Sequence, residues 1–189
     1  GTAYMNTVDK NGLGVSLIQS NFHGIGSRIG VGNYGFFLHN RGCGFNLDQQ
    51  HPNFLKAGNK PLHTLSPTLW SKNDNLEFII GTRGGRYQPQ LLVQVILPYL
   101  LNLESFENII KKPRWVIDYF SSNKSSKIKF EEISEDEINF LTTKDHEVTN
   151  ENGYKNAYGP ISVIYKDKKD SFQGVADIRV GTEKVFSSL

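Results

Sequence analysis

Hydrophobic and polar positions alternate along the first twenty residues and predict a β-hairpin. "TAYMNTVD" has extended-chain chemistry, with Tyr4, Thr7 and Val8 among its β-formers. "DKNG" (Asp9 to Gly12) supplies the turn, with a glycine suited to positive φ. "GVSLIQS" returns as a strand in which Val15 and Leu17 alternate with Ser16. Glycine-rich "HGIGSRIGVGNYG" (His23 to Gly35) then leads to "FFLHN", which reads as a buried strand. "DQQHPNFLKAGNKP" is polar and broken by prolines, and reads as a surface loop. Beyond it, "TLSPTLW" and "LEFIIGT" flank "SKNDN" and predict a second hairpin turning at Ser71 to Asn75.

The period then changes. In "LLVQVILPYLL" the residues Leu91, Leu92, Val95, Ile96 and Tyr99 share one broad helical face, and Pro98 should end or kink that helix. "SFENIIKK" predicts a second, short helix stopped before Pro113. "SEDEINFL" opens a third with a capping box, Ser134 with Glu137. "YGPISVIYKDKKDSFQGVADIR" (Tyr158 to Arg179) closes with a hairpin. Strands, then helices, then strands predict an α+β fold with helices on antiparallel sheet. There is no internal repeat and no long linker, so residues 1–189 read as one domain.

Composition narrows the function classes. A chain of 189 residues can bury about 70% of its unfolded surface. Its net charge of +2 gives nucleic acid no purchase, since lysine runs such as "KDKKD" neutralise themselves. No apolar run approaches the roughly 18 residues of a membrane span. The single Cys43 excludes an internal disulfide.

Several motifs carry less than their patterns promise. "GVGNYG" matches a dinucleotide fingerprint but precedes a predicted strand, so no helix N-terminus meets a pyrophosphate. The five histidines are scattered, none at metal-ligand spacing. Cys43, in "RGCGF", reads as a small packed side chain; as a nucleophile it would need a positioned histidine. "GTRGGR" lacks the lysine of a P-loop, yet between a strand and a helix it can offer backbone N–H groups to an oxyanion. Thr2 stands at the end of the first strand. A threonine hydroxyl is a poor nucleophile unless a base takes its proton, and when threonine is the first residue its own α-amine can serve. By itself a threonine at a strand end is no evidence for this.

Taken together, "TAYMNTVDKNGLGVSLIQS", "GIGSRIGVGNYGFFLHNRGCGF", "NKPLHTLSPTL" and "GTRGGR" resemble the small subunit of the γ-glutamyltransferase family. These are N-terminal-nucleophile (Ntn) hydrolases, made as precursors that cut themselves before a threonine. The resemblance runs from Thr2 to about Arg86 and continues weakly through "PRW" (Pro113 to Trp115) and "GVADIR". It implies the small-subunit half of an αββα sandwich. It further implies Thr2 as the nucleophile, Ser20 as a hydroxyl partner, and the amides of Gly84 and Gly85 as an oxyanion hole. Such donors contribute roughly 2.7–4 kcal/mol each. Asn40 matches a substrate-pocket asparagine, and His63 and Thr64 replace two adjacent serines near the substrate carboxylate. Neither metal nor cofactor is implied. The implied partners are a large subunit of the same precursor, in a heterodimer or dimer of heterodimers, and a small-molecule amide substrate.

The departures bear on substrate. Transferases that handle glutathione have an asparagine where this chain has Phe22, and an acidic pair where it has Cys43 and Gly44. Arg41 stands where they have glutamine or glutamate, which brings the chain closer to the cephalosporin-acylase-like and oxamate-amidohydrolase-like branch. A guanidinium there suits an anionic acyl group. Two alternatives stay open: a true γ-glutamyl hydrolase or transpeptidase with a rearranged amine site, and a catalytically silent binding or assembly paralogue. With Gly1 attached, Thr2 carries an amide in place of the amine, and activity waits for cleavage of the Gly1–Thr2 bond.

Overall fold

The computed structural model describes residues 1–118, 126–181 and 184–187. The first hairpin forms as its alternation predicts: β1 (Thr2–Val8) pairs antiparallel with β2 (Gly14–Ser20). The Asp9 carboxylate closes the turn by accepting from the Asn11 and Leu13 N–H groups, both at 2.8 Å. β3 (Thr68–Lys72) and β4 (Asn75–Thr82) make the second hairpin, turning on Asn73 and Asp74 in the left-handed region. Then come α1 (Gln88–Leu100), α2 (Phe106–Ile109), β5 (Trp115–Asp118), β6 (Lys127–Phe130), α3 (Glu135–Thr142) and β7 (Glu147–Asn150). The predicted final hairpin is β8 (Ile161–Lys166) with β9 (Phe172–Ala176).

A four-stranded sheet in the order β3-β4-β8-β9 organises the molecule. Successive side chains of a strand face opposite ways. From β4, Phe78 and Ile80 enter a core with Leu92, Val95 and Ile96 of α1 and with Phe106 and Ile109 of α2. Tyr99, the last member of the predicted helical face, stacks on Phe106 with ring centroids 3.9 Å apart. The opposite face of β4 carries the first hairpin: Ile79 lies against Gly14, and the Tyr4 ring passes over Gly81. The Asn6 side-chain N–H donates to the carbonyls of Ile79 at 3.4 Å and Ser162 at 3.2 Å, stitching β1 to β4 and β8. Helices, sheet and hairpin stack as α, β, β. Burial on both faces accounts for the consecutive apolar residues Phe78, Ile79 and Ile80 within β4. The outward face of the hairpin leaves Met5, Val15 and Leu17 exposed.

Three readings need correction. "FFLHN" is no buried strand: Phe36, Phe37 and Leu38 are exposed. Their backbone closes an irregular loop, with Ser27 N–H donating to Leu38 O at 2.8 Å and Leu38 N–H to Ile29 O at 3.0 Å, and no described element covers the side chains. Of the two outcomes expected at Pro98, an end or a kink, the end does not occur there: α1 runs on to Leu100, since proline's fixed φ suits a helix and what it lacks is the N–H that would reach back to the Gln94 carbonyl. The middle of the chain is not purely helical, for β5, β6 and β7 form a second sheet in which β6 and β7 run parallel. Four-residue strands are too short to display alternation.

Between the two sheets lies a buried ionic cluster of Arg114, Glu131, Asp177 and Arg179. Arg114 pairs with Asp177 at 2.6 Å, and Arg179 pairs with both Asp177, at 3.1 Å, and Glu131. Glu131 also accepts from the N–H groups of Arg114 and Lys155, and Asp177 from that of Ile161. Burial pushes the Arg114 guanidinium below its ordinary pKa, against the pull of Asp177.

Candidate active site

The register of the first hairpin places Thr2 directly opposite Ser20, both on its inward face. Their hydroxyls share a hydrogen bond of 2.8 Å. Ser20 Oγ also accepts from the Phe22 N–H at 2.9 Å, which orients it toward Thr2. One layer below, Tyr4 meets Ser16 at 2.9 Å, and burial raises the Tyr4 pKa, so this floor stays neutral. Thr2, Tyr4 and Arg83 line one cavity of ≈ 710 Å³, bounded on the far side by Pro160 and Ser162.

Phe22 has a left-handed backbone, φ 72°, an uncommon and strained conformation for a bulky residue. There its ring lies under the guanidinium of Arg41, 5.0 Å from centroid to Cζ. Arg41 is only 6% exposed. One of its terminal nitrogens donates to Thr64 Oγ1 at 3.3 Å, and the other is buried with no hydrogen-bond partner among the described residues. Among the described residues no carboxylate pairs with it. Thr64 is buried, whereas its neighbour His63 points outward. The Asn40 amide is engaged by its own loop: Nδ2 donates to the carbonyls of His23 and Gly26, at 3.2 and 3.1 Å, and Oδ1 accepts from the His23 N–H at 2.9 Å. Asn40 therefore ties the segment of His23 and Gly26 to the start of the Arg41–Gly44 turn.

Gly84 and Gly85 follow the end of β4 and open a 3-10 turn, Gly85–Tyr87, that runs into α1. Their φ values of 134° and 56° belong to glycine's range. Arg83 turns to Asn156, donating to its Oδ1 at 2.9 Å, and Arg86 pairs with Asp118 at 3.5 Å. Cys43 departs from its expected packed position and is exposed, because the 3-10 turn Arg41–Gly44 directs it outward. The structure thus gathers Thr2 with Ser20, and Arg41 with Thr64, and leaves His63 exposed. Sequence reasoning missed Phe22 as the shelf for Arg41; its only signal was an aromatic ring at a position expected to be polar.

A strand-borne hydroxyl pair at the edge of a helix–sheet–sheet stack is the layout of an Ntn-hydrolase fold. Residues 1–186 match the Gamma-glutamyltranspeptidase family, and the chain belongs to it. An oxamate amidohydrolase proenzyme from Klebsiella pneumoniae is 32% identical over 179 residues, which are 94% of this chain and 34% of that protein. The glutathione hydrolase-like YwrD proenzyme of Bacillus subtilis matches to the same extent, 32% over 179 residues. A cephalosporin acylase from Bacillus halodurans superposes with a TM-score of 0.81 at 28% identity, over 98% of this chain and 34% of that one. A γ-glutamyltranspeptidase chain from Pseudomonas nitroreducens, 18% identical, superposes with the same TM-score over 98% of this chain and 99% of its own. The chain spans about a third of the length of the curated relatives it matches.

Proposed function

We propose that the whole protein is an amidohydrolase or acyltransferase that opens the amide bond of a small anionic acyl compound, with Thr2 as nucleophile after cleavage of the Gly1–Thr2 bond. The observation that carries this reading is the hydrogen bond of 2.8 Å between the Thr2 and Ser20 hydroxyls. In processing, Thr2 Oγ1 attacks the Gly1 carbonyl carbon, whose oxygen already accepts from the Asn21 N–H at 3.0 Å. The Gly1–Thr2 C–N bond breaks as the hydroxyl proton passes to the departing Thr2 nitrogen, the acyl group stays on Oγ1 as an ester, and water hydrolyses it to a carboxylic acid and the free hydroxyl. The freed Thr2 amine then takes the hydroxyl proton as Oγ1 attacks substrate, and gives it to the leaving amine. The N–H groups of Gly84 and Gly85 hold the oxyanion, and water or an acceptor amine releases the acyl group.

Arg41 supports an anionic acyl group. Leaving a buried cation unpaired costs several kcal/mol. A ring contact on a desolvated cation contributes about 2 kcal/mol or more, and a hydrogen bond from a charged group about 1.5–3 kcal/mol, but neither supplies a counter-charge. A substrate carboxylate on the unpartnered nitrogen would supply it. Oxamate, named in one relative, carries a carboxylate beside its amide. Thr64 then acts by holding Arg41, and Asn40 by tying the segment of His23 and Gly26 to the turn that Arg41 opens. The rest of the protein would form the large subunit, with the exposed face of Met5, Val15 and Leu17 as a surface for it to cover.

The test is the full-length protein, read by intact mass and by hydrolysis of a panel of amides. Expected are a product beginning at Thr2, turnover of carboxylate-bearing amides such as oxamate, and a Thr2→Ala variant that is neither cut nor active. Unchanged activity in Thr2→Ala would overturn the nucleophile. Turnover of γ-glutamyl-p-nitroanilide alone would move the reading to a γ-glutamyl hydrolase or transpeptidase.

A further inference from the structure

The peptide joining Arg83 to Gly84 is held from its carbonyl side. Thr82, fully buried at the end of β4, directs its hydroxyl to Arg83 O at 2.8 Å and to Pro160 O at 3.0 Å. Against the same carbonyl lies Gly159: a Cβ there would stand 2.1 Å from Arg83 O and 2.4 Å from Thr82 Oγ1. The segment carrying Gly159 is itself clamped. Arg114 donates to Tyr158 O at 3.1 Å and Gly159 O at 2.5 Å, while Asp177 fixes the guanidinium. The ionic cluster thus presses one loop onto the backbone that leads into the glycine pair.

A peptide unit is planar and trans, so fixing the direction of its C=O fixes that of its N–H. The carbonyl of Arg83 and the N–H of Gly84 belong to one such unit. We propose that Thr82 is a positioning residue for the oxyanion-binding N–H of Gly84, with Arg114 as the buttress that holds the Gly159 loop against it. This rests on the reading of the glycine pair as the oxyanion hole. Thr82 touches no reacting atom; it acts by preventing the Gly84 peptide from turning, so its effect falls on the transition state and spares ground-state binding.

The experiment uses the full-length processed protein, the best amide substrate from the panel, and phenylboronic acid, whose tetrahedral adduct with a hydroxyl mimics the oxyanion. Thr82→Val removes the hydroxyl at nearly constant volume. Expected is a fall in kcat of about tenfold, short of the roughly 10²–10³ that removing an oxyanion donor costs. KM should stay within about twofold, boronate inhibition should weaken by the same factor as kcat, and Thr82→Ser should recover most of both. An unchanged kcat, a loss confined to KM, or no recovery in Thr82→Ser would overturn the proposal. Should Thr82→Val not accumulate, Arg114→Lys decides by the same split between kcat and KM. A wild-type protein that neither processes nor binds boronate would instead sink the catalytic reading.

Discussion

Ser20 serves two neighbours with one oxygen. It accepts from the Phe22 N–H, which leaves its proton and remaining lone pair for Thr2. Ser20→Ala should leave the fold intact and lower kcat by about tenfold, the equivalent of one hydrogen bond of roughly 1–1.5 kcal/mol. Ser20→Thr should retain most activity, and steady-state kinetics on the processed protein check both. Arg41 shows the limit of reading single residues. Its identity suggested an anion, but its burial, its seat on Phe22 and its unpartnered nitrogen depend on residues up to 23 positions away. His63 and Thr64 are adjacent in sequence, yet one faces out and the other is buried and bonded to Arg41.

At the scale of elements, local chemistry carried furthest where its partners lie within one turn. The capping box that starts α3 forms as predicted, with Ser134 and Glu137 bonded reciprocally. Ser134→Ala should weaken α3 by about 1 kcal/mol, read as faster amide exchange over 135–142. The Ser134 hydroxyl, and then the Ser134 N–H, donate to the Glu137 carboxylate and hold it below its ordinary value of 4.5. A depressed folded-state pKa stabilises above that ordinary value and is lost as pH falls through the folded one. Protection of α3 should therefore be constant near neutrality and decline on acidification below pH 4.5. The loop at "FFLHN" is the opposite case, since its apolar run looks like a strand but no described element covers it.

At the scale of the molecule, the cluster of Arg114, Glu131, Asp177 and Arg179 ties both sheets to the end of α2. Asp177→Asn would leave two buried guanidinium groups with one carboxylate between them. Loss of one partner in a buried pair costs about 3–5 kcal/mol, a large share of a typical stability of about 5–15 kcal/mol. A matching fall in the denaturant midpoint is expected, and an unchanged midpoint would refute the cluster as a structural lock. The sequence by itself determined the hairpins, the helical faces, the cap and the family motifs, because each is written within a few neighbouring residues. Only the tertiary structure decided that "PRW" and "GVADIR" meet as one charge cluster, that Arg41 is buried with no carboxylate partner among the described residues, and that Gly159 bears on Arg83. Burial and charge pairing arise between segments far apart in the chain, where no local period reports them.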